Sequence, residues 1–119
     1  MKLRGHKDLE VWKISVDLAV DIYKMTKNFP KEETYGLISQ MRRSAVSIPS
    51  NIAEGAARKH KKEFIQFLYI GLGSLSEAET QIILAERLGY ISDTSELYEK
   101  ISSIKKMLNR LIAHLENKK

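Results

Sequence analysis

The chain has 119 residues, 43% of them hydrophobic and 29% charged, with two prolines, six glycines and no cysteine. That length suits a single domain, residues 1–119, able to remove roughly two thirds of its unfolded surface from water, and the missing thiols exclude disulfide frameworks, thiolate zinc sites and cysteine nucleophiles. Twenty Lys and Arg against fifteen Asp and Glu leave a net charge of +5, which allows a polyanionic partner without requiring one.

The first residues, Met1 to Asp8, are basic but run straight into a charged periodic segment, without the apolar core of a secretory signal. The longest strongly apolar stretch, Phe67 to Leu72, is far shorter than the ~20 residues that cross a bilayer. A soluble, cytoplasmic protein with no membrane segment is the expectation.

From Asp8 to about Asn28, Glu10, Lys13, Asp17, Asp21 and Lys24 mark one narrow polar stripe at helical spacing. Two apolar stripes run beside it: Leu9, Trp12, Val16, Ala19 and Tyr23, then Val11, Ile14, Leu18, Ile22 and Met25. One stripe suffices to bury a helix in a four-helix core. The second indicates a further contact surface, as in an oligomer, unless a small bundle simply exposes some Val and Ile.

Asn28-Phe29-Pro30-Lys31 breaks the pattern, and a second helix is expected to begin within Pro30 to Thr34, where Pro suits the first turn and Glu32 and Glu33 favour its positive end. Its stripe, Ile38, Met41, Ala45, Ile48, Ile52 and Ala56, keeps phase through Pro49 to about Ala57. Pro49 cannot donate to the carbonyl of Ala45, so the reading is one helix kinked there; two helices meeting at Ser47 is the competing reading. Ser44, Ser47, Asn51 and Gly55 form a small polar seam beside the stripe. Asn51 and Glu54 would satisfy backbone groups freed by Pro49, or the seam would face a ligand or partner.

Arg58-Lys59-His60-Lys61-Lys62 reads as a basic connector. The third helix carries Phe64, Leu68, Gly71, Leu75, Ala78, Ile82 and Ala85 in alternating steps of four and three. Its small members permit close approach, and Gly89 is the expected stop, with Tyr90 and Ile91 folding back. Asp93 and Glu96 suggest a capping box for a fourth helix bearing Leu97, Ile101, Ile104, Leu108, Leu111 and Leu115. Four helices of about 20 to 27 residues make rods of roughly 30 to 40 Å. With short connections the expected fold is all-α, an antiparallel up-down-up-down four-helix bundle with its second helix kinked at Pro49.

Little in this pattern supports catalysis or a cofactor. Paired Glu-x-x-His motifs of metal-binding bundles are missing, and His6, His60 and His114 are scattered, so no metal site is expected. Glu77, Glu79 and Glu86 lie on one helix without histidine partners and read as a solvated or inter-subunit face. Gly71-Leu72-Gly73-Ser74 falls inside a heptad pattern rather than after a strand, which removes a phosphate-loop reading. Ser44, Ser47, Ser74 and Ser76 lack a nucleophile's His and Asp companions. A non-enzyme with no catalytic residue and no cofactor is the expectation.

The basic residues carry more. Arg42, Arg43, Arg58, Lys59, Lys61 and Lys62 come from one helix and its connector, with Lys105, Lys106 and Arg110 as weaker candidates. Such a cluster neutralises phosphates with little base preference. It is equally the composition of a solvated turn at a helix C-terminus, where cations are favoured in any case.

Tyr35-Gly36-Leu37, Gln40-Met41-Arg42-Arg43, Val46 through Gly55, Glu63-Phe64, Phe67-Leu68, Gly73-Ser74-Leu75, Glu77 and Glu79-Thr80 together resemble the four-helix-bundle proteins encoded in intervening sequences of bacterial 23S ribosomal RNA genes. Ser44 and Ala78 stand where that family more often has Ala and Leu. The resemblance implies an antiparallel bundle, commonly a ring-shaped homopentamer, and kinship with the accessory variability determinant of diversity-generating retroelements, a basic pentamer that associates with nucleic acid and a reverse transcriptase. The ribosomal label follows gene location and does not make these proteins ribosome subunits. The resemblance leaves two expectations: an oligomer that binds structured RNA or DNA through phosphates, or a ring-shaped scaffold that docks a partner protein and whose charge is incidental.

Overall fold

Each of the four periodic segments is helical in the computed structural model, which describes residues 5–117. Helix α1 spans Glu10–Thr26, α2 Leu37–Ala56, α3 Lys61–Arg87 and α4 Ser95–Asn117, with single 3-10 turns at His6–Asp8 and Lys31–Glu33; no strand occurs among the described residues. The fold is all-α, and its extents are 49 × 25 × 20 Å.

The inner stripes of α2 and α3 are buried as their periodicity predicts, with Ile48, Ile52, Leu68 and Ile82 wholly shielded from solvent. Each such side chain contributes about 1.5–3 kcal/mol by leaving water. Contacts between the two helices pair rising numbers on one with falling numbers on the other. Gly55 lies against Phe64 and Phe67, Ser47 Oγ is 2.8 Å from Ser74 Oγ, and Ser44 Oγ donates to Gln81 Oε1 at 2.6 Å. The small polar seam is therefore the α2–α3 contact. Gly71 belongs to it from the other side: a Cβ there would stand 4.0 Å from the Ile48 carbonyl oxygen.

Several boundaries differ from the sequence reading. Pro30 leads into a 3-10 turn, and α2 starts only after Gly36. Helix α2 then runs through Pro49 without a break, which removes a junction at Ser47. Asn51 Nδ2 donates to the Ser47 carbonyl at 2.8 Å rather than to the carbonyl Pro49 leaves free, and Glu54 pairs with Arg58. Lys61 and Lys62 belong to the first turn of α3, so the connector is shorter than expected. On α1 the buried positions are Val11, Ser15, Leu18, Ala19, Ile22 and Thr26, so Ser15 is buried with the stripe while Ile14 and Met25 pack partly exposed against the core. The Ser15 hydroxyl is satisfied by donating to the Val11 carbonyl at 2.7 Å.

Gly89 ends α3 as expected. At φ 80 it lets its own N–H reach the Glu86 carbonyl and the Tyr90 N–H reach the Ala85 carbonyl, at 3.0 Å each, the two bonds of a Schellman closure. Tyr90 folds back onto Phe29, with ring centroids 5.3 Å apart. The capping box does not form: Asp93 adopts φ 57, and the α4 ladder begins with the Tyr98 N–H on the Thr94 carbonyl. In the last turns of α4 Ile112 is buried, while Leu111 and Leu115 pack partly exposed against the core.

Candidate nucleic-acid interface

The six basic candidates fall into two groups, set apart by most of the length of α2. From Arg42 to the end of the helix is roughly 20 Å at 1.5 Å per residue. Arg42 is half-buried and already engaged: Nε donates to Thr26 Oγ1 at 2.9 Å, Nη2 donates to the Tyr23 carbonyl at 3.3 Å, and the guanidinium lies 4.6 Å from the Tyr23 ring centroid. Thr26 Oγ1 in turn donates to the Ile22 carbonyl at 2.8 Å. Arg42 thus fastens the C-terminal turn of α1 to α2, where a cation also meets the negative end of the helix. Arg43, one position on, is exposed.

At the other end, the α2–α3 turn gathers Arg58, Lys59, Lys61 and Lys62, all exposed. Arg58 Nη2 sits 3.0 Å from Glu54 Oε2, and its guanidinium lies 4.8 Å from the Phe67 ring centroid, so part of its charge is offset and its plane is held. Among the described residues Lys59, Lys61 and Lys62 make no ion pair. Because α3 starts at Lys61, the N–H groups of Lys61 and Lys62 are first-turn donors without a backbone acceptor. Exposed lysines and the positive end of a helix thus share one turn, a combination that suits a phosphate.

Lys105, Lys106 and Arg110 are exposed on α4, with Lys105 beside a cleft of about 210 Å³ between α3 and α4. Among the described residues no three His, Asp or Glu side chains stand close enough to hold a metal. No helix among them is long and apolar enough to cross a membrane. Glu86 is tied down by Thr94 Oγ1 at 2.8 Å and Tyr98 Oη at 2.9 Å, while Glu77 is exposed. Sequence reading missed the engagement of Arg42, because Thr26 and Tyr23 lie sixteen and nineteen residues away and only the packing brings them together.

Residues 7–110 match the family described as 23S rRNA-intervening sequence protein. A crystal structure of a protein of unknown function from the S23 ribosomal protein family of Bacteroides thetaiotaomicron superposes with a TM-score of 0.68 at 30% identity, covering 91% of this chain and 99% of that one. No curated protein matches the chain.

Proposed function

The chain belongs to the 23S rRNA-intervening sequence protein family, and from that premise we propose that it is a non-enzymatic, homo-oligomeric helical bundle that binds structured RNA or DNA through phosphates. The observation that carries this reading is the α2–α3 turn, where Lys59, Lys61 and Lys62 stand unpaired among the described residues at the N-terminus of α3. Arg58 and Arg43 extend the contact. Arg42 joins it only by releasing α1. Phosphates supply the affinity, so binding carries little base preference and falls steeply with salt.

Filter binding to ribosomal RNA fragments at two salt concentrations tests this directly. Changing Arg58, Lys59, Lys61 and Lys62 to Ala should weaken binding uniformly across sequences and reduce the slope of log affinity against log salt by about 0.7 to 0.9 for each phosphate no longer neutralised. Equal affinity and slope in parent and variant would remove the turn from the interface.

An apolar groove between α1 and α2 favours a second reading, in which the oligomer is a scaffold for a partner protein and its charge is incidental. A partner that survives nuclease treatment in a pull-down, with no RNA affinity in the filter assay, would select it.

A further inference from the structure

The cleft of about 210 Å³ between α3 and α4 joins an apolar floor to a charged rim. Leu75 and Ile101 in the floor are buried and Leu72 is half-buried. The rim carries Ser76 and Glu79 from α3 and Ser102 and Lys105 from α4.

Two carboxylates on this side of α3 differ in how they are met. Glu79 and Glu86 lie two helical turns apart and so share a face. Glu86 accepts hydrogen bonds from Thr94 Oγ1 at 2.8 Å and Tyr98 Oη at 2.9 Å. Glu79 is half-buried, yet among the described residues no hydrogen bond or ion pair reaches its carboxylate. Tyr98 also lines the cleft, but its hydroxyl proton is spent on Glu86. Lys105, on the opposite wall, makes no ion pair among the described residues either. Two opposite charges therefore share one cleft without closing on each other, and a carboxylate partly withdrawn from water is left without a donor, which is unfavourable. A ligand ammonium supplies that donor, and a ligand carboxylate gives Lys105 its acceptor, both as charge-assisted bonds.

We infer that the cleft between α3 and α4 binds a small aliphatic α-amino acid, with its ammonium on Glu79, its carboxylate on Lys105 and the rim hydroxyls, and its side chain on the apolar floor. The volume equals that of about seven waters at about 30 Å³ each, which admits valine or leucine and is too small for a nucleotide. Lys105 then serves the cleft rather than a nucleic-acid backbone. The basic residues of the α2–α3 turn take no part, so this site and phosphate binding stand or fall separately.

Chemical-shift titration of the isotope-labelled protein with L-leucine tests it. Saturable shifts should centre on Ser76, Glu79, Ser102 and Lys105. Isoamylamine, which lacks the carboxylate, and isovalerate, which lacks the ammonium, should each bind at least roughly tenfold more weakly, the worth of one hydrogen bond to a charged group. γ-Aminobutyrate has both charges but no side chain for the floor, and should also bind more weakly than leucine. Glu79→Gln should weaken leucine roughly tenfold and leave isovalerate unchanged, whereas Lys105→Met should weaken leucine as much and leave isoamylamine unchanged. Should either variant fail to fold by circular dichroism, the analogues decide on the parent alone. Shifts that never saturate or that scatter over the surface, leucine no tighter than its analogues, or variants that bind leucine as the parent does or weaken every ligand alike would overturn the assignment.

Discussion

Where α2 crosses α3, a Cβ added to Gly55 would stand 2.8 Å from Phe67 Cβ, 2.9 Å from Phe64 Cδ1 and 3.2 Å from the Phe64 carbonyl oxygen; on the far side of α3, a Cβ added to Gly73 would meet nothing. The same residue type thus stands in opposite surroundings. The inner seam uses glycine and serine to bring two backbones together and satisfies the side-chain polar groups it buries: among the described residues no buried side-chain N or O lacks a hydrogen-bond partner. The outer face has apolar side chains and a glycine with no neighbour to justify them. Internal packing explains the first face and does not reach the other.

The largest effect expected at the seam is that of Gly55→Ala. Alanine should help an isolated helix, so any loss measures crowding against the Phe64 ring, the Phe67 Cβ and the Phe64 carbonyl. Two of the three close atoms are not the movable end of a side chain, and the helices must shift apart. A loss of about 2 kcal/mol in urea unfolding is expected, against a gain for Gly73→Ala. Opposite signs at the two glycines would sharpen the contrast between the faces, and equal signs would break it.

A smaller loss should follow Ser44→Ala. Its hydroxyl is the partner of the buried Gln81 carbonyl oxygen, and an unmatched buried acceptor costs about 1–3 kcal/mol. The double variant Ser44→Ala with Gln81→Leu removes donor and acceptor together and should recover most of the stability. Failure to recover would mean that the seam depends on shape rather than on this hydrogen bond.

The helices were legible in the sequence because burial in a bundle follows the 3.6-residue period. That period located the stripes of α2 and α3 and the start of α4's. It did not locate Ser15 or Thr26 in the core, since a hydroxyl that bonds its own helix is buried without an apolar signature. The α4 cap was misread because Asp93 lies in the left-handed region, a conformation Asp tolerates. At the candidate interface the cluster Arg58, Lys59, Lys61 and Lys62 was visible as a local run, whereas the removal of Arg42 from it depends on two residues of another helix. Local chemistry is readable from one chain, and side-chain engagement across helices is not.

The smallest effect concerns how the rest of the bundle is fastened to the seam. Lys100 pairs with Asp21 between α4 and α1, and this hydrogen bond raises the lysine above its ordinary 10.5 despite opposing desolvation, with Asp17 and Glu96 adding to it. Tyr90 donates to Glu33 Oε2 at 2.8 Å, and that bond, with desolvation and the charges of Glu33 and Glu32, raises its phenol above 10.0. Both groups hold their protons more tightly folded than unfolded, so the stability they confer is whole below pH 10 and is lost as pH climbs through the folded values. The seam between α2 and α3 relies on serine, asparagine and glutamine, none of which titrates there. Thermal melts should therefore decline as pH rises beyond about 10, and Tyr90→Phe with Lys100→Met should flatten that decline while lowering the melting temperature slightly at neutral pH. A parent whose melt is level across this range, or a double variant that declines as steeply, would show that these outer fastenings carry no more load than any exposed pair.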